Sequence, residues 1–282
     1  MLDAIMDGLI DTLKLIPFLL VTFLLLEFIE HKLSKKNEKI LTKNKKFGPI
    51  LGGLLGAVPQ CGFSSMAANL FSARVITMGT LIAVFLSTSD EMLPIMIGEH
   101  RNIKELLLIV GFKVIVGIII GFIVDIIFKH KEHAEDEHEH IGEMCKHEHC
   151  NCEHENIFIS SIKHTIKICL FILIANVGIN LIIYFIGEDN ISNILKNQNI
   201  FSYFIACFIG LIPNCASSVI MTELYLNNLI SIGTLISGLL TGSGLGILLL
   251  FKTNKNIKQN ITILSIIYIV GVVVGILVDI IL

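Results

Sequence analysis

Apolar runs free of charge dominate this chain. Residues 15–26, 106–112, 114–124, 168–187, 229–251 and 261–278 contain no Asp, Glu, Lys or Arg. A run near 20 residues long predicts a helix that crosses about 30 Å of hydrocarbon. The runs fall into two series of the same order. A long helix (8–30; 158–186) is followed by a polar connection (31–46; 187–199). Next comes an apolar stretch interrupted at its middle (47–73; 200–227), and then a second one interrupted near its far end (75–97; 229–251). A last uninterrupted helix (106–128; 261–282) closes each series. The pieces 48–58 and 62–73 are each too short to span a bilayer, so together they form either one interrupted span or a re-entrant hairpin.

The two series are copies. Moving residues 56–128 along by 154 positions lays them on 210–282 without a gap, and about a third of the aligned positions are identical. Gly56, Pro59, Cys61 and Ser64 fall on Gly210, Pro213, Cys215 and Ser218. Gly79-Thr80-Leu81-Ile82 falls on Gly233-Thr234-Leu235-Ile236, and Gly117, Gly121 and Asp125 on Gly271, Gly275 and Asp279. A duplicated apolar unit, broken at matching places by Gly, Pro and polar residues, is the pattern of a secondary transporter. The fold class this predicts is an all-α polytopic membrane protein. It has two inverted repeats of about five helical segments each, with broken or re-entrant helices. Residues 1–128 form the first repeat, 129–157 a cytoplasmic linker and 158–282 the second repeat.

Composition agrees, with 54% hydrophobic and only 16% charged residues, against about 25% charged in ordinary soluble domains. The start of the chain lacks the basic region of a secretory leader, so the first run is expected to be a retained span. Charge also predicts orientation. The connection 31–46 carries Lys32, Lys35, Lys36, Lys39, Lys43, Lys45 and Lys46, whereas 187–199 carries Glu188, Asp189 and only Lys196. Basic loops stay in the cytoplasm, so equivalent loops lie on opposite sides and the repeats are inverted. The short 98–105 loop, with Arg101 and Lys104, is then external.

The paired interruptions carry the chemistry. Backbone freed at membrane depth is tolerated only inside protein or beside a water-filled cavity. Pro59 and Pro213 each lack an N–H and push the preceding residue out of the α region. Gln60-Cys61 and Asn214-Cys215 then open new half-helices, whose free N–H groups form a polar end. Ser64, Ser65, Ser217 and Ser218 lie one turn further and are candidates for the same lining. The structural alternative is a Pro-kinked packing helix in which Cys fills space as a small hydrophobe. The second break is asymmetric: Asp90 and Glu91 of the first half become Gly244 and Leu245. Ionisable residues within a span are functional candidates by default, here as cation ligands or proton carriers, unless they stand at an interfacial helix end. Lys113 either neutralises them or snorkels to the headgroups; its counterpart Ile267 favours snorkelling. Asp125, Asp279, Glu27 and Glu30 read as interfacial.

The linker KHKEHAEDEHEHIGEMCKHEHCNCEHENI is a candidate metal binder. Its ligand types are His130, His133, His138, His140, Cys145, His147, His149, Cys150, Cys152 and His154. Imidazole and thiolate together suit zinc, nickel, cobalt or copper(I), and the carboxylates also accept manganese. The spacing matches no defined finger, so the metal is not readable, and a plain solvated acidic linker is the alternative.

At Val58-Pro59-Gln60-Cys61-Gly62-Phe63-Ser64 and Ile212-Pro213-Asn214-Cys215-Ala216-Ser217-Ser218 the chain resembles the bacterial ten-helix heavy-metal exporters. These are variously labelled arsenic efflux proteins or manganese transporters. The likeness extends to Ser87-Thr88-Ser89-Asp90-Glu91, to Gly238-Leu239-Leu240-Thr241-Gly242 and to the His/Cys-rich middle, and covers essentially the whole chain. More distantly, it resembles permeases in which a Pro-x-Cys break occurs twice. The resemblance implies a multi-pass protein of the bacterial cytoplasmic membrane that exports a metal or metalloid, with no enzymatic activity and no required cofactor. Its expected partners are lipid, the metal or metalloid substrate and a second copy of the chain, with no nucleic acid. Half-helix N-termini and Cys61 and Cys215 suit a soft oxyacid such as arsenite, whereas the linker suits a divalent cation. Two other classes remain open: an anion permease with a metal-sensing linker, and a membrane thiol or metal-handling assembly factor using Cys61 and Cys215 as a redox pair. No Gly-x-x-x-x-Gly-Lys-Ser/Thr motif is present, which argues against ATP-driven pumping by this chain alone.

Overall fold

Glycine, proline and capping residues divide the chain into helices at repeat-equivalent points. The computed structural model describes residues 47–58, 61–89, 92–135, 200–214 and 216–281, with isolated helical positions between 13 and 24 and between 162 and 177. Among the described residues there are ten helices and no strand. In the first half these are α1 (Gly48–Gly56), α2 (Cys61–Ser72), α3 (Met78–Ser87), α4 (Met92–Gly98) and α5 (Ile103–Glu135). In the second half they are α6 (Phe201–Gly210), α7 (Ala216–Leu226), α8 (Ile232–Thr241), α9 (Leu245–Thr253) and α10 (Ile257–Ile281). Adding 154 to the bounds of α3 reproduces those of α8, and the other pairs agree within a residue or two except where α5 runs on past the apolar part. That extension, from Lys129 to Glu135, has no Gly or Pro to stop it and is built from helix formers.

The boundaries follow from local chemistry. The Thr77 Oγ1 accepts from the Thr80 N–H at 3.1 Å to cap α3, and the Ser231 Oγ accepts from the Thr234 N–H at 3.1 Å to cap α8. Both satisfy a first-turn donor that the helix cannot. The α2 and α7 helices end alike, with Arg74 and Asn228 in the left-handed region at φ 60° and 57°. The Val75 N–H bonds the Leu70 carbonyl and the Leu229 N–H bonds the Leu224 carbonyl, each at 2.9 Å. These are the six-to-one bonds that close a helix end. Gly244, at φ 53°, turns the chain into α9 through a conformation that a side chain would strain.

Among the described residues, four stretches are long and apolar enough to cross a bilayer: Met78–Gly98, Ile103–Phe128, Ile232–Thr253 and Ile257–Ile281. The α3 and α8 helices are buried nearly all round, and they meet each other at the middle of the bundle. In contrast, α5 and α10 expose Ile115, Ile119, Ile126, Ile269, Val273 and Ile280, the side chains expected to face acyl chains.

Small residues set the closest packing. A Cβ on Gly121 would lie 2.6 Å from the Gly79 carbonyl oxygen, and one on Gly117 would lie 2.8 Å from that of Ala83. In the second half a Cβ on Gly275 would lie 2.6 Å from the Gly233 carbonyl oxygen. Gly117-x-x-x-Gly121 and Gly271-x-x-x-Gly275 thus let α5 and α10 touch the backbones of α3 and α8. Residue 79 pairs with 121 and 83 with 117, so each such pair is antiparallel.

The α1 helix lies parallel to α3, because Gly48 packs on Thr80 and Gly56 on Ser87. The α2 helix must therefore return to the start of α3, and α1–α2 form a hairpin rather than one interrupted span. The α6–α7 pair repeats this, with the Ser202 and Thr234 hydroxyls 3.4 Å apart and Gly210 against Gly238 and Thr241. The halves interlock through the returning arms. The α2 helix runs beside α9 in the same direction, since Gly246 packs on Ser64 while the Ser72 and Thr253 hydroxyls lie 2.6 Å apart. Conversely, α7 meets α4 and the start of α5, where the Tyr225 hydroxyl donates to Glu105 at 2.7 Å and Arg101 Nη2 donates to the Leu226 carbonyl at 3.0 Å. One apolar core surrounds Phe71, Phe85 and Leu249, and a second surrounds Met92, Met221 and Leu239.

Candidate functional site

Each hairpin turn lies beside the end of the helix it packs on. A Cβ on Gly56 would stand 2.1 Å from the Ser87 Oγ and 2.6 Å from the Val84 carbonyl oxygen, which holds the first turn where α3 stops. Ser64 and Ser65, in the first turns of α2, are both fully buried. The backbone at Gly246 comes so close to Ser64 that a Cβ there would lie 2.9 Å from the Ser64 Cβ. The first break is thereby joined to the start of α9.

The second break is folded on itself. Asn214, 2% exposed, donates its N–H to the Ile212 carbonyl at 2.7 Å. Its own carbonyl accepts from the Ser217 Oγ at 2.9 Å. Ser217 is buried, while Pro213 and Ser218 are half-buried. Pro59, Gln60, Asp90, Glu91 and Cys215 lie outside the described residues, as does the side chain of Cys61. Of the linker's candidate ligands, His130 and His133 stand on the last turns of α5 with their side chains outside the described residues. His138, His140, Cys145, His147, His149, Cys150, Cys152 and His154 lie outside them altogether. Among the described residues no three His, Cys, Asp or Glu side chains come together as a metal site.

The ends of α3 and α8 add polar groups at the same depth. Where α3 stops, Thr88 Oγ1 donates to the Val84 carbonyl at 2.7 Å and Ser87 Oγ to that of Ala83 at 2.8 Å. The Thr88 carbonyl accepts from Lys113 Nζ. Lys113 has no exposed surface, which corrects the expectation that it snorkels. It stands mid-way along the apolar part of α5, and the carbonyl released by the end of α3 receives its ammonium. At the end of α8, Thr241 Oγ1 donates to the Gly238 carbonyl at 2.9 Å. Ser243 is fully buried, and its hydroxyl has no partner among the described residues.

Two aspartates expected at the interface act as clamps. Asp125 accepts from Thr77 Oγ1 and from the Gly79 N–H, both at 2.8 Å. Asp279 accepts from the Ser231 Oγ, from the Gly233 N–H at 2.8 Å and from the Tyr203 hydroxyl at 2.8 Å. Each carboxylate thus supplies the free donors at the start of α3 or α8 from the end of the neighbouring helix. The sequence held the signal: Asp125 and Asp279 align in the repeat, each 46 residues beyond an aligned Gly79 or Gly233. Asn69 is fully buried on α2, and among the described residues its amide has no partner; the repeat gave no signal for it, because its counterpart is Glu223.

The family model described as "Putative, 10TM heavy-metal exporter" matches residues 1–186 and 153–282 of the chain. No curated protein and no solved structure matches it.

Proposed function

Since the chain belongs to this family of ten-helix heavy-metal exporters, we propose that it is a secondary transporter of the bacterial cytoplasmic membrane that expels a metal or metalloid, manganese or an arsenite-like oxyacid. The observation that carries this reading is the pair of helical hairpins, equivalent by 154 residues, that pack into an apolar bundle. The helices after them bury Ser64, Ser65 and Ser217. Hydroxyls and helix starts buried in an apolar bundle are costly in a merely structural span and useful in a substrate site. Substrate is held between the two Pro-Gln/Asn-Cys breaks, with Pro59, Gln60, Cys61, Pro213, Asn214 and Cys215 forming the turns and Asp90 and Glu91 adding charge from one side.

The same contacts support inversion of the halves. Arg74, between α2 and α3, donates to Gln259 at the start of α10 at 3.1 Å. Tyr225, at the end of α7, reaches Glu105 at the start of α5. Because α3 starts beside the end of α5, and α8 beside the end of α10, the start of each long helix shares a level with the end of the other. This supports opposite orientation of the repeats, as does the lysine-rich 31–46 segment, read as cytoplasmic. The linker's histidines and cysteines serve as a metal-binding arm on that side, with no cofactor needed for transport.

An anion permease is the second reading, favoured by the paired helix N-termini of α2 and α7. A redox assembly factor would require Cys61 and Cys215 within disulfide reach and would lose all activity when either is changed. The deciding experiment is sensitivity of a deletion strain to Mn, Zn, Ni, Co, Cu, Cd, arsenite and antimonite, with complementation by wild-type protein and by Cys61→Ser and Cys215→Ser. Hypersensitivity to one or two of these, restored by the wild-type chain, is expected. Unchanged sensitivity to all of them would refute export.

A further inference from the structure

The polar face of α2 continues past the first break. Ser65 and Asn69 stand four residues apart, hence on one side of the helix one turn from each other. Cys61 occupies the register position one turn earlier. Both Ser65 and Asn69 have no exposed surface, and among the described residues neither the Ser65 hydroxyl nor either amide atom of Asn69 has a hydrogen-bond partner. Buried side-chain polar atoms are nearly always paired, and exceptions call for an explanation such as an absent ligand. Ser243 Oγ is likewise buried and unpartnered. It lies one turn before Gly246, which packs on Ser64. Ser243 therefore stands near the contact of Gly246 with Ser64, through which α2 and α9 join the two halves.

Repeat packing does not require an amide at this position. The equivalent of Asn69 is Glu223, which is exposed, and the equivalent of Ser65 is the half-buried Val219. The unsatisfied stripe is particular to the first half.

We propose that Ser65 and Asn69 form a binding subsite, not foreseen in the sequence beyond Ser65, for a ligand presenting O–H groups. The chemistry of the donor set selects that class. Asn69 Oδ1 needs a donor while Nδ2 needs an acceptor, and rotating the amide exchanges the two without removing either need. A bare cation would satisfy the carbonyl oxygen and oppose the NH₂ group. A bare anion would do the reverse. An O–H group donates and accepts, and so satisfies both together with the Ser65 hydroxyl. Such groups are offered by a hydroxylated metalloid or by the water shell of a metal ion. This subsite rests on the transport reading and extends its central site along α2.

The test uses the full-length chain in proteoliposomes, with arsenite and Mn²⁺ as probes, comparing wild type with Asn69→Leu, Asn69→Gln and Ser65→Ala. Leucine keeps the branching of asparagine but is bulkier, and it removes two unsatisfied buried polar atoms, so the Asn69→Leu protein should unfold near or above the wild-type temperature. Its KM for the transported probe should nevertheless rise at least tenfold, with Asn69→Gln intermediate and Ser65→Ala raised severalfold. A loss confined to arsenite assigns the O–H group to a hydroxylated metalloid, and one confined to Mn²⁺ assigns it to metal-bound water. Wild-type KM for both probes in Asn69→Leu, with a lowered unfolding temperature, would overturn the subsite and leave a structural water in its place. Wild-type protein that moves neither probe would overturn the transport reading, and the subsite with it.

Discussion

Replacing Asp279 by alanine tests whether the carboxylate clamps hold the bundle together. The side chain accepts from Tyr203 on α6, from Ser231 before α8 and from the Gly233 N–H in the first turn of α8. One group therefore fastens three helices. Hydrogen bonds to a charged group contribute about 1.5 kcal/mol each at the low end in soluble proteins, while membrane-embedded ones average about 0.6 kcal/mol. Three such bonds place the loss between about 2 and 4.5 kcal/mol. At roughly 2 °C per kcal/mol for a chain of this size, unfolding should fall by about 4–9 °C. Asp279→Asn keeps an acceptor for the Gly233 N–H and should lose about half as much, whereas Tyr203→Phe removes one bond and should lose about 1–3 °C. Unfolding of the detergent-solubilised protein, followed by tryptophan-free methods such as cysteine accessibility or light scattering, gives the comparison. If Asp279→Ala unfolds within 1 °C or so of wild type, the carboxylate contributes nothing net and the clamp argument fails.

Asp125→Ala should destabilise in the same direction through Thr77 and Gly79, and the Asp125→Ala/Thr77→Ala pair should be non-additive in a double-mutant cycle. Gly121→Ala would drive a Cβ to 2.6 Å from the Gly79 carbonyl, so α3 and α5 must part; a loss of about 1–3 kcal/mol is expected in the same unfolding assay, and wild-type stability would contradict the close approach. Lys113→Ile installs the residue found at the equivalent buried position, Ile267; the protein should fold and insert, as judged by size-exclusion profile, while its transport drops at least tenfold, because an ionisable group buried at that depth is retained for function. Deleting residues 136–155 should leave membrane insertion unchanged and alter the response to metal more than maximal transport; loss of insertion would make the linker structural. Labelling of cysteines placed at positions 36 and 193 should occur from opposite sides of the membrane, and labelling from one side would end the inverted arrangement.

Much of the architecture was legible in the chain because two strong constraints act locally. Lipid tolerates only long apolar helices with internally satisfied backbones, so runs such as 229–251 and 261–278 declared themselves. A gap-free duplication then paired the helices in advance, and the structure places α1–α5 and α6–α10 at the same register. The breaks at Pro59 and Pro213 were equally plain, since proline cannot continue a helix. Three-dimensional contact decided the rest. Whether 47–73 crosses the membrane or returns depends on which end of α3 receives Gly56, and no local pattern encodes that. The fate of Lys113 depended on a carbonyl released 25 residues away. Asp125 and Asp279 looked interfacial because their partners lie 46–48 residues distant, or 76 for Tyr203. Asn69 could not be recognised as unpartnered from sequence, because hydrogen-bond satisfaction is a property of every neighbour at once. Sequence alone determined the spans, the duplication and the positions where the helices break; tertiary packing decided which buried polar groups are satisfied and which are left unpaired, because that depends on distances between segments that covalent order leaves free.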